Sequence, residues 1–319
     1  MLPVRRVLAL VTVVVALVPS ASACAEPARY RGRLVIAAGG GSGVYLAYAQ
    51  GLARAARMDG ARPRVLATAS AADNLRHVAA GTADAAFAPA DLAALAAAGR
   101  APFPPGTRVA ALARLYDEHT HLVVPADSPV QDLPDLRGRT VSTGGPGTDT
   151  ELVATRLLGS AGIDPDREIR RRRLPLREAA EALRERRVDA FFHSGGVPDE
   201  TIMQLTHVMG VRLVDLGPYV GQLRRFHGDF YEERSIPASA YRLFAAPRTV
   251  GVPSYLVVGA SMPPERARAL TRLLFARREV LVAAHPEALY LNRRAAISTG
   301  PVPLHPGAVR YYRESKVAG

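Results

Sequence analysis

The 319-residue sequence contains one cysteine, Cys24, and one lysine, Lys316. A single thiol excludes an internal disulfide. The apolar run at residues 7–18 is shorter than the roughly 20 residues a membrane helix needs. Nucleotide and catalytic signatures are missing as well. A phosphate loop requires Gly-x-x-x-x-Gly-Lys before Ser or Thr, and no lysine stands near either glycine-rich segment. A dinucleotide fingerprint requires Gly-x-Gly-x-x-Gly, but counting from Gly39 and Gly41 puts Val44 where the third glycine belongs. Neither a Gly-x-Ser-x-Gly elbow nor His-Glu-x-x-His occurs. His119 and His121 would share one strand face, but no third metal ligand accompanies them. Asp117 and Glu118 beside them read as solvated turn residues rather than an acid–base pair. The chain is therefore expected to be neither an enzyme nor a holder of metal or cofactor.

The N-terminus is organised for export. Arg5 and Arg6 precede the apolar run, and Pro19, Ser20, Ala21, Ser22 and Ala23 form a small-residue cleavage zone. With Cys24 immediately after it, the pattern resembles a bacterial lipoprotein signal. Residues 1–23 would be removed and Cys24 acylated, anchoring an extracytoplasmic protein to the cell membrane. The alternative is plain secretion by Ala-x-Ala cleavage. The formal charge of +12 is carried almost entirely by arginine, a bias that reflects genome composition. An exported protein has no access to nucleic acid, so that partner is not expected. The densest basic run, Arg170 to Arg173, reads as a strand edge or loop on a solvated surface; its functional alternative is contact with a membrane or an acidic partner.

About 295 residues would remain, enough for two domains with real cores. Short apolar strands alternate with helical patterns, which predicts a parallel α/β architecture. A strand at 33–38 runs into Gly39-Gly40-Gly41-Ser42-Gly43, and a helix with Val44, Ala47, Tyr48, Gly51, Leu52 and Ala55 on one face follows. Further strands are predicted at 65–67 and 83–88, with helices at 71–80 and at 91–98, the last capped by Asp91. After strands at 122–125 and 140–142 comes a second loop, Gly144-Gly145-Pro146-Gly147-Thr148-Asp149-Thr150, then a helix at 151–161. Strand, glycine-rich loop and helix thus occur twice. A helix N-terminus offers free N–H groups and a positive dipole end, and glycine lets a ligand reach the backbone. Two such loops facing each other would clamp an anion.

These segments carry a resemblance. Leu34-Val35-Ile36 leading to Gly39-Gly40-Gly41-Ser42-Gly43-Val44-Tyr45, then Asn74-Leu75 and Gly81-x-Ala83-Asp84, are similar to the TAXI family of solute-binding proteins of TRAP transporters. The order continues through Leu136-Arg137-Gly138-Arg139, Pro146-Gly147-Thr148-Asp149-Thr150-Glu151, Asp189-Ala190-Phe191-Phe192 with Gly196 and Pro198, Ile236-Pro237, and Leu304-His305-Pro306-Gly307-Ala308. The resemblance implies a two-lobed periplasmic-binding-protein (type II) fold that holds a small carboxylate or amino acid, glutamate-like, and passes it to membrane permease subunits. It implies a cleft lined by Gly41, Ser42, Gly43 and Tyr45 of the first loop, Asn74, and Gly147, Thr148 and Thr150 of the second, with the backbone donors of both loops as its firmest part; the alternatives are Tyr45 packed under the loop, Asn74 as a helix-end cap, and Thr148 and Thr150 as helix caps only. Ala71, Pro89 and Ala90 stand where the family often has polar residues, which puts the ligand's identity in doubt. Lobe 1 would comprise residues 31–121 and 252–319, and lobe 2 residues 122–251, in a monomer hinged at 122–125 and 251–258. His119 and His121 would be hydrogen-bonded where the lobes meet, and Phe191 and Phe192 are expected in the core, with one of them as an apolar cleft wall the alternative. Final helices are expected at 264–284 and 286–294. An ATP-driven importer's binding protein and an exported α/β enzyme remain as alternative readings.

Overall fold

The structure is a computed structural model that describes residues 29–39 and 43–317. The expected leader, Cys24, and Gly41 and Ser42 of the first loop lie outside the described residues. Among the described residues, no helix is long and apolar enough to cross a membrane.

The first part alternates strictly. Strands β1 (Gly32–Gly39), β2 (Ala61–Thr68) and β3 (Ala85–Pro89) are each followed by a helix, α1 (Gly43–Met58), α2 (Ala71–Ala79) and α3 (Ala90–Ala97). β1 pairs in parallel with both β2 and β3. Its run Leu34-Val35-Ile36-Ala37-Ala38 is buried on both faces, as a parallel strand covered by helices requires. Next comes β4 (Val109–Pro125), followed by β5 (Thr140–Ser142), α4 (Asp149–Ser160), β6 (Arg170–Arg172), α5 (Leu176–Arg184), β7 (Ala190–Gly195) and α6 (Glu200–Val208). Then follow β8 (Val211–Leu213), α7 (Val220–His227), β9 (Glu232–Ser235), α8 (Ala238–Tyr241) and β10 (Arg248–Gly259). The chain finishes through α9 (Pro264–Ala276), α10 (Arg278–Val282), α11 (Arg293–Ala296) and α12 (Pro306–Val317).

All ten strands join one sheet in the order β2-β1-β3-β10-β4-β7-β5-β6, with β8 on β4 and β9 on β10. The parallel strands β1–β3 lie on one side of the antiparallel pair β4 and β10, and the parallel strands β5–β7 on the other. β4 faces β10 from Val109 to His119 and β7 from His119 to Val123. Two long strands, β4 and β10, therefore link the two parts of the α/β fold, β10 running from its pairing with β9 to its pairing with β3.

Several expectations are corrected here. The strand expected at 122–125 is only the end of a 17-residue strand. Glu118 is consequently no turn residue: it sits mid-strand, 1% exposed. The helix expected at 264–284 breaks at Arg277, whose φ of −129° leaves the helical region. The segment expected as a helix at 286–294 divides into a 3₁₀ turn, Pro286–Tyr290, and the short α11, because the Asn292 side chain accepts the Ala295 N–H and restarts the helix. Asp91 does not cap α3; Pro89 holds the N-cap position, and the Asp91 carboxylate accepts from Leu92 N–H at 2.7 Å and from the Tyr231 hydroxyl at 3.0 Å.

Candidate functional site

The sheet's two parts leave a cavity of about 820 Å³ between them. Its walls are the starts of four helices: Gly43 and Val44 of α1, Thr148 and Thr150 at α4, Pro175 to Glu178 at α5, and Asp199 to Thr201 at α6. Phe192 and His193, near the end of β7, complete the floor. The first N–H groups of each helix have no intrahelical partner and its dipole is positive there. α5 has no side-chain cap, so its opening N–H groups are not consumed by one. Arg177 borders the cavity but is exposed. The lining thus offers backbone N–H donors at the helix starts together with the carboxylates of Glu178, Asp199 and Glu200.

Of the residues singled out in the sequence, Gly43, Thr148 and Thr150 line this one cavity. The Thr148 hydroxyl donates to Gly145 O at 2.7 Å and accepts the Glu151 N–H at 3.2 Å, which makes it the N-cap of α4. Thr150 Oγ1 accepts the Ser194 N–H at 3.0 Å, tying α4 to β7. Gly147 lies at the edge, where its N–H donates to Glu151 Oε2 at 2.8 Å and its α-carbon faces Ser70 of the other part.

Tyr45 and Asn74 turn inward instead, and this corrects their expected contact with ligand. Tyr45 is 2% exposed, its hydroxyl is bonded to Ser254 Oγ at 3.0 Å, and its ring packs on Phe87. The Asn74 amide donates to Gly39 O at 3.2 Å and Phe87 O at 2.9 Å and accepts from the Thr68 hydroxyl, so it cross-links the ends of β1, β2 and β3. Both act on the scaffold through packing and hydrogen bonds.

Sequence reasoning missed His193 and Asp199. His193 Nε2 lies 3.3 Å from Asp199 Oδ2, and Asp199 Oδ1 caps α6 by accepting from Thr201 N–H and Ile202 N–H. Burial opposes ionisation of Asp199, but the adjacent His193 imidazole and the helix N–H groups outweigh it and hold the carboxyl at about 2. Burial, with His193 beside it, pushes His121 down to about 3. Its Nε2 meets the Tyr241 hydroxyl at 3.1 Å. A carboxylate three helical positions ahead of an apolar run was the available signal for Asp199 as a cap; nothing in the sequence placed it beside His193. Among the described residues, no group of three or more His, Cys, Asp or Glu side chains is arranged to hold a metal ion.

The basic run is partly absorbed by the site. Arg171 and Arg173 both pair with Glu151 in the first turn of α4 and brace the second loop from outside. Glu287, on the 3₁₀ turn, accepts the Val197 N–H at 3.1 Å and so reaches from the C-terminal segment to the strap after β7. Burial raises its carboxyl to about 7.

The comparisons with known proteins follow the same outline. Residues 36–315 match the NMT1-like family. The chain belongs to that family. Solved structures of similar fold include the periplasmic aliphatic sulphonate binding protein SsuA from Escherichia coli, with a TM-score of 0.51 and 14% identity over 89% of this chain and 83% of that one. A binding protein component of an ABC phosphonate transporter from Pseudomonas aeruginosa gives 0.53 at 11% identity over 80% and 79%. A Xanthomonas citri protein solved with ATP gives 0.52 at 18% identity over 89% and 96%. At these identities the likeness is one of fold, and it agrees with the expected α/β, two-lobed binding-protein architecture. The NMT1-like match supports the TAXI resemblance only at the level of that architecture.

Proposed function

We propose that this NMT1-like protein is an extracytoplasmic solute-binding protein that holds a small anionic solute in the 820 Å³ cavity and delivers it to a membrane permease. The observation that carries this reading is the convergence of four helix starts, α1, α4, α5 and α6, on one cavity between two parts of a sheet joined by β4 and β10. Residues 31–121 and 252–319 would form one lobe and 122–251 the other, closing about the two long strands. Acylation at Cys24 would keep the protein at the membrane as a monomer.

Two of the fold neighbours bear the names of sulphonate- and phosphonate-binding proteins, one of them a component of an ABC transporter. They favour the ATP-driven importer over the TRAP-type carrier, which rests on the sequence resemblance alone, and oxyanions such as sulfonates and phosphonates join carboxylates as candidate solutes. The test has two arms. Calorimetry of the purified chain with sulfonates, phosphonates and carboxylates should find one-to-one binding in one class; catalytic turnover of a bound compound would overturn the reading. Uptake of that compound by the native host should stop on ATP depletion for an ABC importer. Loss of uptake only when the ion gradient is collapsed would restore the TRAP reading.

A further inference from the structure

The strap that follows β7 borders two cavities at once. Gly196 and Pro198 line the 820 Å³ cavity, while Val197 between them lines a second cavity of about 630 Å³. The segment that opens the 3₁₀ turn stands against the strap in the same alternation, with His285 on the first cavity and Glu287 on the second. Glu287 ties the two segments together. Its Oε1 accepts the Val197 N–H at 3.1 Å across a chain separation of 90 residues. Glycine at 196 leaves room for this approach: a Cβ there would come within 2.7 Å of Glu287 Oε1 and 3.1 Å of Val44 Cγ2 at the start of α1. Glu287 lies in the part built from residues 31–121 and 252–319, and the strap in the part built from 122–251. The hydrogen bond therefore crosses from one proposed lobe to the other beside the solute cavity.

Glu287 is held out of water, at 5% exposure. The guanidinium groups of the second cavity are committed elsewhere: Arg114 pairs with Asp117 at 2.6 Å and Glu232 at 3.0 Å, and Arg234 pairs with the same two carboxylates. Tyr48 of α1, Tyr116 of β4 and Tyr241 of α8 lie close enough to feel the charge of Glu287. His119 of β4 shares the second cavity, and His285 and Tyr290 flank Glu287 on its own segment. Burial lifts the Glu287 carboxyl to about 7 against the pull of the Val197 N–H, and Asp117 adds to the rise.

We propose that Glu287 is a proton-dependent latch between the lobes: its protonated carboxyl holds the strap and keeps the cavity closed, and loss of the proton lets strap and turn part. The inference rests on the reading of two lobes that close on a solute. It goes beyond that reading by naming the side chain that sets the balance between closed and open forms. A protonated carboxyl still accepts the Val197 N–H through its carbonyl oxygen and carries no buried charge. Once the lobes part, the carboxyl meets water and returns to its ordinary value of 4.5. Closing thus takes up a proton between 4.5 and about 7, and none at higher pH. The closed-to-open ratio rises as pH falls through that window, by up to about tenfold per pH unit.

Small-angle scattering of the ligand-free chain reads this balance without depending on which solute binds. Between about pH 8 and about pH 5.5 the closed-to-open ratio should rise about 30-fold, seen as a smaller radius of gyration at the lower pH. Glu287→Gln keeps an acceptor for Val197 and removes the titrating group, so it should give the compact form at both pH values. Gly196→Ala puts a methyl group against Glu287 and Val44 and should give the expanded form at both. Urea midpoints measured alongside separate opening from unfolding. Wild-type curves that coincide at the two pH values, or a pH response that persists in Glu287→Gln, would overturn the latch. Solute binding by a chain without the pH response would leave the solute-binding reading intact. A pH response in a chain that binds none of the sulfonates, phosphonates and carboxylates would support the latch and overturn the solute reading.

Discussion

The two glycine-rich loops read alike in sequence and differ in how they are held. α1, which follows the first loop, has no acidic residue in its first turn, so no carboxylate of that turn answers its positive end where Gly43 meets the cavity. α4, which follows the second, carries Asp149 and Glu151 in its first turn and a threonine cap. Glu151 is in turn held by Arg171 and Arg173 and accepts the Gly147 N–H. The positive end of α4 is thus largely answered by the protein itself, while that of α1 faces the cavity. Similar local sequence can serve a ligand in one place and the scaffold in another, depending on what packs around it.

The contrast can be broken by substitutions that separate binding from stability. The largest effect should come from Gly144→Val. Gly144 has φ of +91°, and a Cβ there would meet Thr150 Cγ2 at 2.6 Å. Backbone strain and overpacking together should cost about 3–5 kcal/mol, read as a lowered midpoint in urea. An unchanged midpoint would show that the second loop is not braced as described. Gly43→Val is the counterpart on the first loop. A Cβ at Gly43 has nothing within 4 Å, so unfolding should stay near wild type while the side chain fills the space where a solute reaches the start of α1. Calorimetry should show at least about a 100-fold loss of affinity, equivalent to about 2.7 kcal/mol. Retained affinity would move the solute away from that helix.

A third test concerns pH. Burial, reinforced by the facing Asp149 carboxyl, raises the folded pKa of Glu118 above 4.5, so the folded state keeps a proton that the unfolded state releases. Its contribution is fully present below about 4.5 and is lost as pH rises toward the raised value, at up to about 1.4 kcal/mol per pH unit. Glu118→Gln should flatten that decline, giving a variant no less stable than wild type at neutral pH. A parallel pH profile for the two proteins would remove the buried Glu118 carboxyl from the account. The smallest effect belongs to Thr148→Ala, which deletes the α4 cap and should cost about 1 kcal/mol of stability. If its loss appears in binding instead, the two loops are more alike than their surroundings indicate.

Much of the frame was legible because its signals are local. The alternation that produced β1 to β3, the strand at Thr140–Ser142 and the helix starts at Gly43 and Thr148 depend on residues within a few positions of one another. The length of β4 was not legible. Its middle carries Asp117 and Glu118, which read as turn residues, yet β10 on one side and β7 on the other supply partners that keep the strand extended. From that misreading followed the assignment of Glu118 to solvent. Asn74 and Tyr45 were misplaced for a related reason, since their polar atoms are satisfied by Phe87 O and Ser254, distant in the chain.

The sequence by itself determined that strands and helices alternate, that two glycine-rich turns open helices, and that no nucleotide or nucleophile motif accompanies them, because each of these depends on near neighbours along the chain. Only the tertiary structure decided that four helix starts share one cavity, that His193 stands beside Asp199, and that Glu118 faces Asp149 out of water. Those arrangements bring together segments as distant in the chain as Gly43 and Thr201, and their energies depend on burial that no short stretch of sequence records.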